Sequence, residues 1–360
     1  MMNLSSPASR LMIVHGAEAF DRGDAHYLLS LIPVDQVIVA GVMGRTAAEE
    51  SGLACCCPGR PPSDLIREQN SNGCFLLNHA KTPDSGRIFG EIVARRLGGR
   101  GFVQVEVASG TIYCWDGGDR TLSESIGNKI GYEVVCRSSP NPLRSRERRS
   151  IRGCIPGEPV LVNGIVIGRA ISETIEIGLS GDRIVPVSGI EPKEHGLEKL
   201  DGSVLDLSDV WCKSGRVRRS SPIVKNPERS TGMITVIDHA GSDCYGLLHE
   251  DTVGVLAIGD DTTAICGHVC SHRGIPVLGI TDGDGDGIVE PAFAPGSLVV
   301  SARNERDDDL GKAVTASMNL PGVYSWDEFL SCFLRDFGER VDITMDEAGC
   351  RFGTEFPLPK

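Results

Sequence analysis

Val253-Gly254-Val255-Leu256-Ala257-Ile258-Gly259-Asp260-Asp261-Thr262-Thr263 decides how this chain is read. An apolar run of strand length stops at glycine and two acids, and a helical stretch follows from Thr262 to His272. Upstream, Met233-Ile234-Thr235-Val236-Ile237 is a strand ending at Asp238-His239. Downstream, Ile275 to Ile280 is a strand ending at Thr281-Asp282, and Leu298 to Ser301 is a fourth. Strands separated by crossover segments predict an α/β domain over residues 231–320. Glu305 to Asp309 reads as a solvated acidic turn. In the tail, 321–360, Trp326 to Phe333 is amphipathic and reads as a docking helix.

The N-terminal part has the same texture. Leu11 to Val14, Gln36 to Ala40, Cys74 to Asn78, Phe102 to Val107 and Tyr132 to Val135 read as strands, with helices between them. Ser85 to Leu97 is a helix with Arg95 and Arg96 near its end and Gly98-Gly99 beyond it. Thr111 to Trp115 is either a hairpin partner of the preceding strand or its continuation. The expectation is a Rossmann-like α/β domain over 10–136. Between the two α/β parts, short β-type runs alternate with turn signals such as Asn163-Gly164 and Gly181-Asp182, so 151–220 predicts a small β-barrel or sandwich. Basic stretches at Arg144 to Arg149 and Arg216 to Arg219 flank it and read as solvated linkers, the alternative being contact with an anionic partner such as nucleic acid if the two patches converge.

Three strands of the third segment end in acid: Asp238, Asp260-Asp261, and the run Asp282, Asp284, Asp286. In an open parallel sheet the carboxyl ends of the strands meet at one edge, where ligands bind. Carboxylates gathered there repel one another unless a cation lies among them, and hard oxygen ligands suit Mg2+ or Mn2+. Asp282, Asp284, Asp260 and Asp261 are therefore the candidate metal ligands. Thr262 and Thr263, at a helix start, and Gly283, in a glycine-rich turn, are candidates for holding phosphate. The bland alternative is one helix cap plus one turn. The spacing Asp282-x-Asp284-x-Asp286-Gly287 also copies the opening of a calcium loop, but position twelve is Phe293 and the run follows a strand. At the N-terminal sheet, His15 with Gly44 and Arg45 is a candidate small-molecule or phosphate pocket.

Gly259-Asp260-Asp261-Thr262-Thr263, a helix, and then Gly274 to Ile288 resemble the latter half of a Toprim domain. By that resemblance Asp282 and Asp284 are metal ligands, and Asp238 stands where the family has its glutamate general acid/base, one methylene shorter. Val14-His15-Gly16-Ala17-Glu18, Gly41 to Thr46, Val162 to Gly168 and the 259–287 stretch are similar to an archaeal, mainly methanogen, domain-of-unknown-function family. That resemblance implies an archaeal cytoplasmic setting and no particular activity.

Composition limits the function classes. The 360 residues carry a formal charge of −13 and 5% aromatics, which disfavours a general nucleic-acid surface. No run approaches the length of a membrane span, and the polar N-terminus lacks the apolar core of a secretion signal. The 13 cysteines include no C-x-x-C pair and read as free thiols, with Cys266 and Cys270 buried toward the sheet. There is no G-x-G-x-x-G or Walker loop. The sequence thus predicts Mg2+- or Mn2+-dependent phosphoryl or nucleotidyl chemistry, with a nucleotide or other small-molecule ligand and Asp238 as proton carrier. The alternative is a non-catalytic small-molecule or metal-binding protein.

Overall fold

The computed structural model describes residues 10–69, 73–139, 145–202, 206–208, 210–283 and 285–349. The chain forms two compact units, Met1–Arg218 and Arg219–Lys360. Both are mixed α/β, and no helix among the described residues is long and apolar enough to cross a membrane.

The first unit opens with β1 (Leu11–His15), α1 (Glu18–Asp21), α2 (Asp24–Leu31), β2 (Gln36–Ala40), α3 (Val42–Ser51), α4 (Pro62–Glu68), β3 (Cys74–Asn78), α5 (Pro83–Leu97), β4 (Phe102–Glu106), β5 (Thr111–Trp115), α6 (Arg120–Ile130) and β6 (Glu133–Arg137). The six strands form one sheet of order β2-β1-β3-β4-β5-β6. Every neighbouring pair is parallel except β4 and β5. One short turn joins those two strands, too little chain to cross a sheet face, so the hairpin alternative is the one realised. Thr82 and Ser85 close a capping box at the start of α5, and Gly98 ends the helix in the left-handed conformation. Residues of α4 and α5 bury one face of the sheet with Ile13, Ile38 and Leu76, and α6 packs on β4, β5 and β6.

The same unit continues through β7 (Arg148–Arg152), β8 (Pro159–Val162), β9 (Ile165–Ala170), β10 (Thr174–Ser180), β11 (Arg183–Ser188), β12 (Ile190–Pro192), α7 (Glu194–Glu198) and β13 (Cys212–Ser214). These strands make two sheets, β11-β10-β7 and β12-β9-β8-β13, with antiparallel pairing throughout. Asn163 and Gly164, at φ of 48° and 88°, make the turn between β8 and β9. The basic stretches depart from the linker expectation. Arg148 and Arg149 lie inside β7, paired with β10. Arg218 is 2% exposed, bonded to both carboxylate oxygens of Asp21 and, at 2.6 Å, to Glu50. Two acids neutralise one buried guanidinium there. Arg144 lies outside the described residues.

The second unit contains β14 (Thr231–Asp238), α8 (Cys244–Leu247), β15 (Thr252–Ile258), α9 (Asp260–Arg273), β16 (Val277–Thr281), β17 (Leu298–Ala302), α10 (Asp307–Ser317), β18 (Gly322–Ser325), α11 (Trp326–Phe337) and β19 (Val341–Asp346). Its sheet has the order β18-β14-β15-β16-β17-β19. The four central strands are parallel, and an antiparallel strand closes each edge. β15 is buried along its whole length. One sheet face, with Leu256, Ile258, Leu278 and Val300, packs against Leu310 and Val314 of α10 and Phe329 and Phe333 of α11. Gly254 admits Trp326: a Cβ there would lie 2.0 Å from the indole ring. α11 is therefore core, and the segment after residue 320 supplies both edge strands as well. The acidic stretch Glu305 to Asp309 also departs from expectation. Asp307, Asp308 and Asp309 form the first turn of α10, where carboxylates suit the positive helix end, and Asp307 is buried.

Arg218→Ala removes the buried guanidinium that Asp21 and Glu50 share and is expected to cost about 3–5 kcal/mol in denaturant unfolding. Arg146→Ala removes an ion pair to Asp206 whose arginine is 83% exposed, and is expected to cost under about 1 kcal/mol.

Candidate metal centre

Parallel pairing aligns the carboxyl ends of β14, β15 and β16, so the residues just beyond them share one edge. α9 begins at Asp260 with Gly259 as its N-cap, and no side chain caps it. Asp260 instead turns away from its own helix. Its Oδ2 accepts the backbone N–H groups of Asp282, at 3.0 Å, and Gly283, at 3.2 Å, tying the loop after β16 to the start of α9. A Cβ at Gly285 would lie 3.3 Å from Asp260 Oδ1, so the loop passes close by. Asp261 Oδ1 accepts the N–H of Asp286 at 3.3 Å. The simple cap is thus excluded for Asp260, whose carboxylate anchors the glycine-rich loop.

Asp260, Asp282 and Asp307 each offer an oxygen, and these oxygens lie within 4.8 Å of one another. One hard divalent cation, with oxygen ligands at about 2.0–2.6 Å, spans that separation. Asp260 and Asp282 were legible as strand-end acids. Asp307 was not, because an acidic run looks solvated until the end of β17 and the start of α10 place it inward. A second trio adjoins on β14 and α10: Asp238, His239 and Asp308. His239 Nδ1 lies 2.6 Å from Asp238 and 3.6 Å from Asp308. The strand-end acids therefore divide, with Asp238 in the histidine group and Asp260 with Asp282 in the other. Asp284 lies outside the described residues.

Thr262 and Thr263 are buried. Thr263 packs on Gly279 of β16, and Thr262 lies against Gly241. Gly283, at φ of 90°, contributes its amide to Asp260. Beside Asp238, Val236, Ile258, Lys312, Thr315 and Asn319 line a cleft of about 320 Å³. Lys312 makes no ion pair with the described residues. Elsewhere on α9, Cys266 and Cys270 are fully buried with Cys244, and His268 and His272 are buried as well.

In the first unit, His15 lies 3.0 Å from Asn78 through Nδ1, Gly44 packs its helix on the Gly16 backbone, and Arg45 pairs with Glu49 at 2.9 Å.

Residues 12–320 match the family described as an uncharacterized protein conserved in archaea (DUF2117), and this chain belongs to that family. It is 32% identical over 342 residues to an uncharacterized protein of Methanocaldococcus jannaschii, covering 89% of this chain and 94% of that relative. No solved structure matches.

Burial raises the pKa of Asp260, and the facing Asp282 carboxylate adds to the rise against the two amide bonds that oppose it. Burial likewise raises Asp307, with Asp282 acting in the same direction and the Asp308 amide opposing. The folded state thus holds these protons more tightly than the unfolded chain. Their stabilising contribution is complete below the ordinary aspartate pKa and is lost as pH rises through the raised values. In the presence of a chelator, Asp282→Asn is expected to be more stable than wild type at neutral pH, by on the order of 1 kcal/mol. That difference should shrink toward pH 4. Thermal unfolding of both proteins across pH measures it, and a pH-independent difference contradicts the repulsion argument.

Proposed function

We propose that the second unit binds a divalent cation, Mg2+ or Mn2+, through Asp260, Asp282 and Asp307, and works on a phosphorylated small molecule or nucleotide. The carrying observation is the convergence of three carboxylates from three separate elements on a single point. The resemblance of residues 259–288 to the latter half of a Toprim domain supports the same reading, as do the consecutive parallel strands β14 to β17. When bound, the ion would polarise a phosphoryl oxygen and neutralise developing charge. The chain's own contributions are distinct. Asp260 holds the loop that carries Asp282. Lys312, beside the cleft, is available to a phosphate oxygen. Asp238, hydrogen-bonded to His239, is the carboxylate best placed to exchange a proton with a ligand in that cleft.

A second reading, non-catalytic metal or metabolite binding, has one specific observation in its favour. Asp238 is engaged by His239, on a side chain one methylene shorter than the glutamate of the Toprim pattern.

Calorimetry with Mn2+ and Mg2+ is expected to give one site per chain in wild type, weakened at least tenfold by Asp282→Asn or Asp307→Asn. Undiminished binding in both variants refutes the site. Turnover of nucleotides or phosphoesters that requires the metal and falls at least a hundredfold in Asp238→Asn supports catalysis. Metal binding without any turnover supports the second reading.

A further inference from the structure

We propose that the carboxyl edge of the first sheet is a second ligand site, in which His15 Nε2 accepts a hydrogen bond from a small oxyanion bearing an O–H group. This site lies wholly within the first unit and shares no residue with the metal centre.

His15, Asn78 and Glu106 are the last residues of three adjacent parallel strands, β1, β3 and β4, paired in register. The chain leaves β1 for β2 on one side and returns to β3 on the other. His15 and Asn78 therefore occupy the switch point of the sheet, where open parallel sheets bind ligands. Behind them lies a buried polar chain whose proton positions follow from one fixed donor. The indole N–H of Trp115 can only donate, and it donates to Gln104 Oε1 at 2.9 Å. That orients the Gln104 amide, whose Nε2 donates to the Gly86 carbonyl at 2.9 Å and to Glu106 Oε2 at 3.2 Å. Glu106 accepts further bonds from the amides of Ala80 and Ala108 through Oε1. Asn78 Nδ2 donates to Glu106 Oε2 at 2.5 Å, so Asn78 Oδ1 faces His15 as an acceptor. His15 Nδ1 must then carry the hydrogen, and Nε2 is left with its lone pair.

The ring is held in place by Phe89, stacked at 4.1 Å between centroids. His15 is half-buried, and no described residue hydrogen-bonds to Nε2. The polar chain ends on Nε2, an acceptor with no donor among the described residues, at the carboxyl edge of the sheet. The charged groups around the ring are Lys213 of β13, Glu106 acting through Asn78, and Glu18 of α1 against Gly16. Lys213 contributes positive charge to the surroundings of the ring, which favours an anion over a cation there. Burial, with Lys213 acting in the same direction, pushes the His15 pKa down to about 4, so the imidazole stays neutral at any physiological pH.

Diethyl pyrocarbonate acylates unprotonated imidazole, forming an N–C bond and releasing ethanol and carbon dioxide. At pH 5.5 an exposed histidine of ordinary pKa is about one-tenth unprotonated, whereas His15 is almost wholly so. Peptide mapping of the full chain should therefore show the His15 rate nearly unchanged between pH 7.5 and pH 5.5, while that of an exposed histidine of ordinary pKa falls about tenfold. Monobasic inorganic phosphate, an oxyanion with an O–H group, should slow that modification several-fold in wild type and much less in Lys213→Met. Nitrogen NMR of the unmodified protein should show the Nδ1–H tautomer, a readout that needs no variant. An Nε2–H tautomer, a His15 rate that falls with pH as that of the exposed histidines does, or a rate untouched by phosphate each overturns the proposal.

Discussion

A parallel strand covered by helices on both faces has no polar surface along its length, so polar chemistry is confined to its ends. This constraint organises both units. β15 is buried from Thr252 to Ile258, and the polar residues it delivers come immediately afterwards, at Asp260 and Asp261. β1 and β3 are apolar until His15 and Asn78. In-register pairing then sets those ends side by side, and residues far apart in the chain become neighbours without any local sequence signal that they will meet.

The two edges differ in how their charge is balanced. At the first, one buried carboxylate, Glu106, is matched by amide donors from Asn78, Gln104, Ala80 and Ala108. Those donors oppose the burial that raises the Glu106 pKa, and they transmit a defined proton arrangement outward to His15. At the second edge, the amides of Asp282 and Gly283 serve only one oxygen of Asp260, while Asp282 and Asp307 bring like charges toward it. A fully matched network is stable as it stands and orients what lies at its end. A crowded set of carboxylates is costly until a proton or a cation joins it. The two edges are therefore suited to different ligands, a neutral acceptor with a nearby ammonium for one and a hard cation for the other.

Much of the fold was legible. Apolar runs ending in Gly-Asp-Asp or Thr-Asp marked β15 and β16, Asn163-Gly164 marked a hairpin turn, and the odd, scattered cysteines carried no ligand spacing. Where reading along the chain failed, long-range packing was the reason. Arg218 looked like a linker residue until Asp21 and Glu50 enclosed it across almost two hundred residues. The stretch Glu305 to Asp309 looked solvated until it opened α10. The amphipathic stretch at Trp326 looked like an appendage, and its apolar stripe is half of a core whose other half lies on β14 to β17.

The sequence by itself determined most strands and helices of the two α/β parts, though not α10, β18 or β19, and that acids and histidine stand where strands stop, because these follow from periodicity, turn chemistry and the exclusion of charge from buried strands. Only the tertiary structure decided which of those ends share a point. Asp307 joins Asp260 and Asp282, while Asp238 pairs with His239 and Asp308, because strand order and the landing point of α10 set the distances between carboxylates. Likewise, that Glu106 fixes the proton on His15 depends on β1, β3 and β4 lying adjacent and in register, a relation between strands that no single stretch of chain contains.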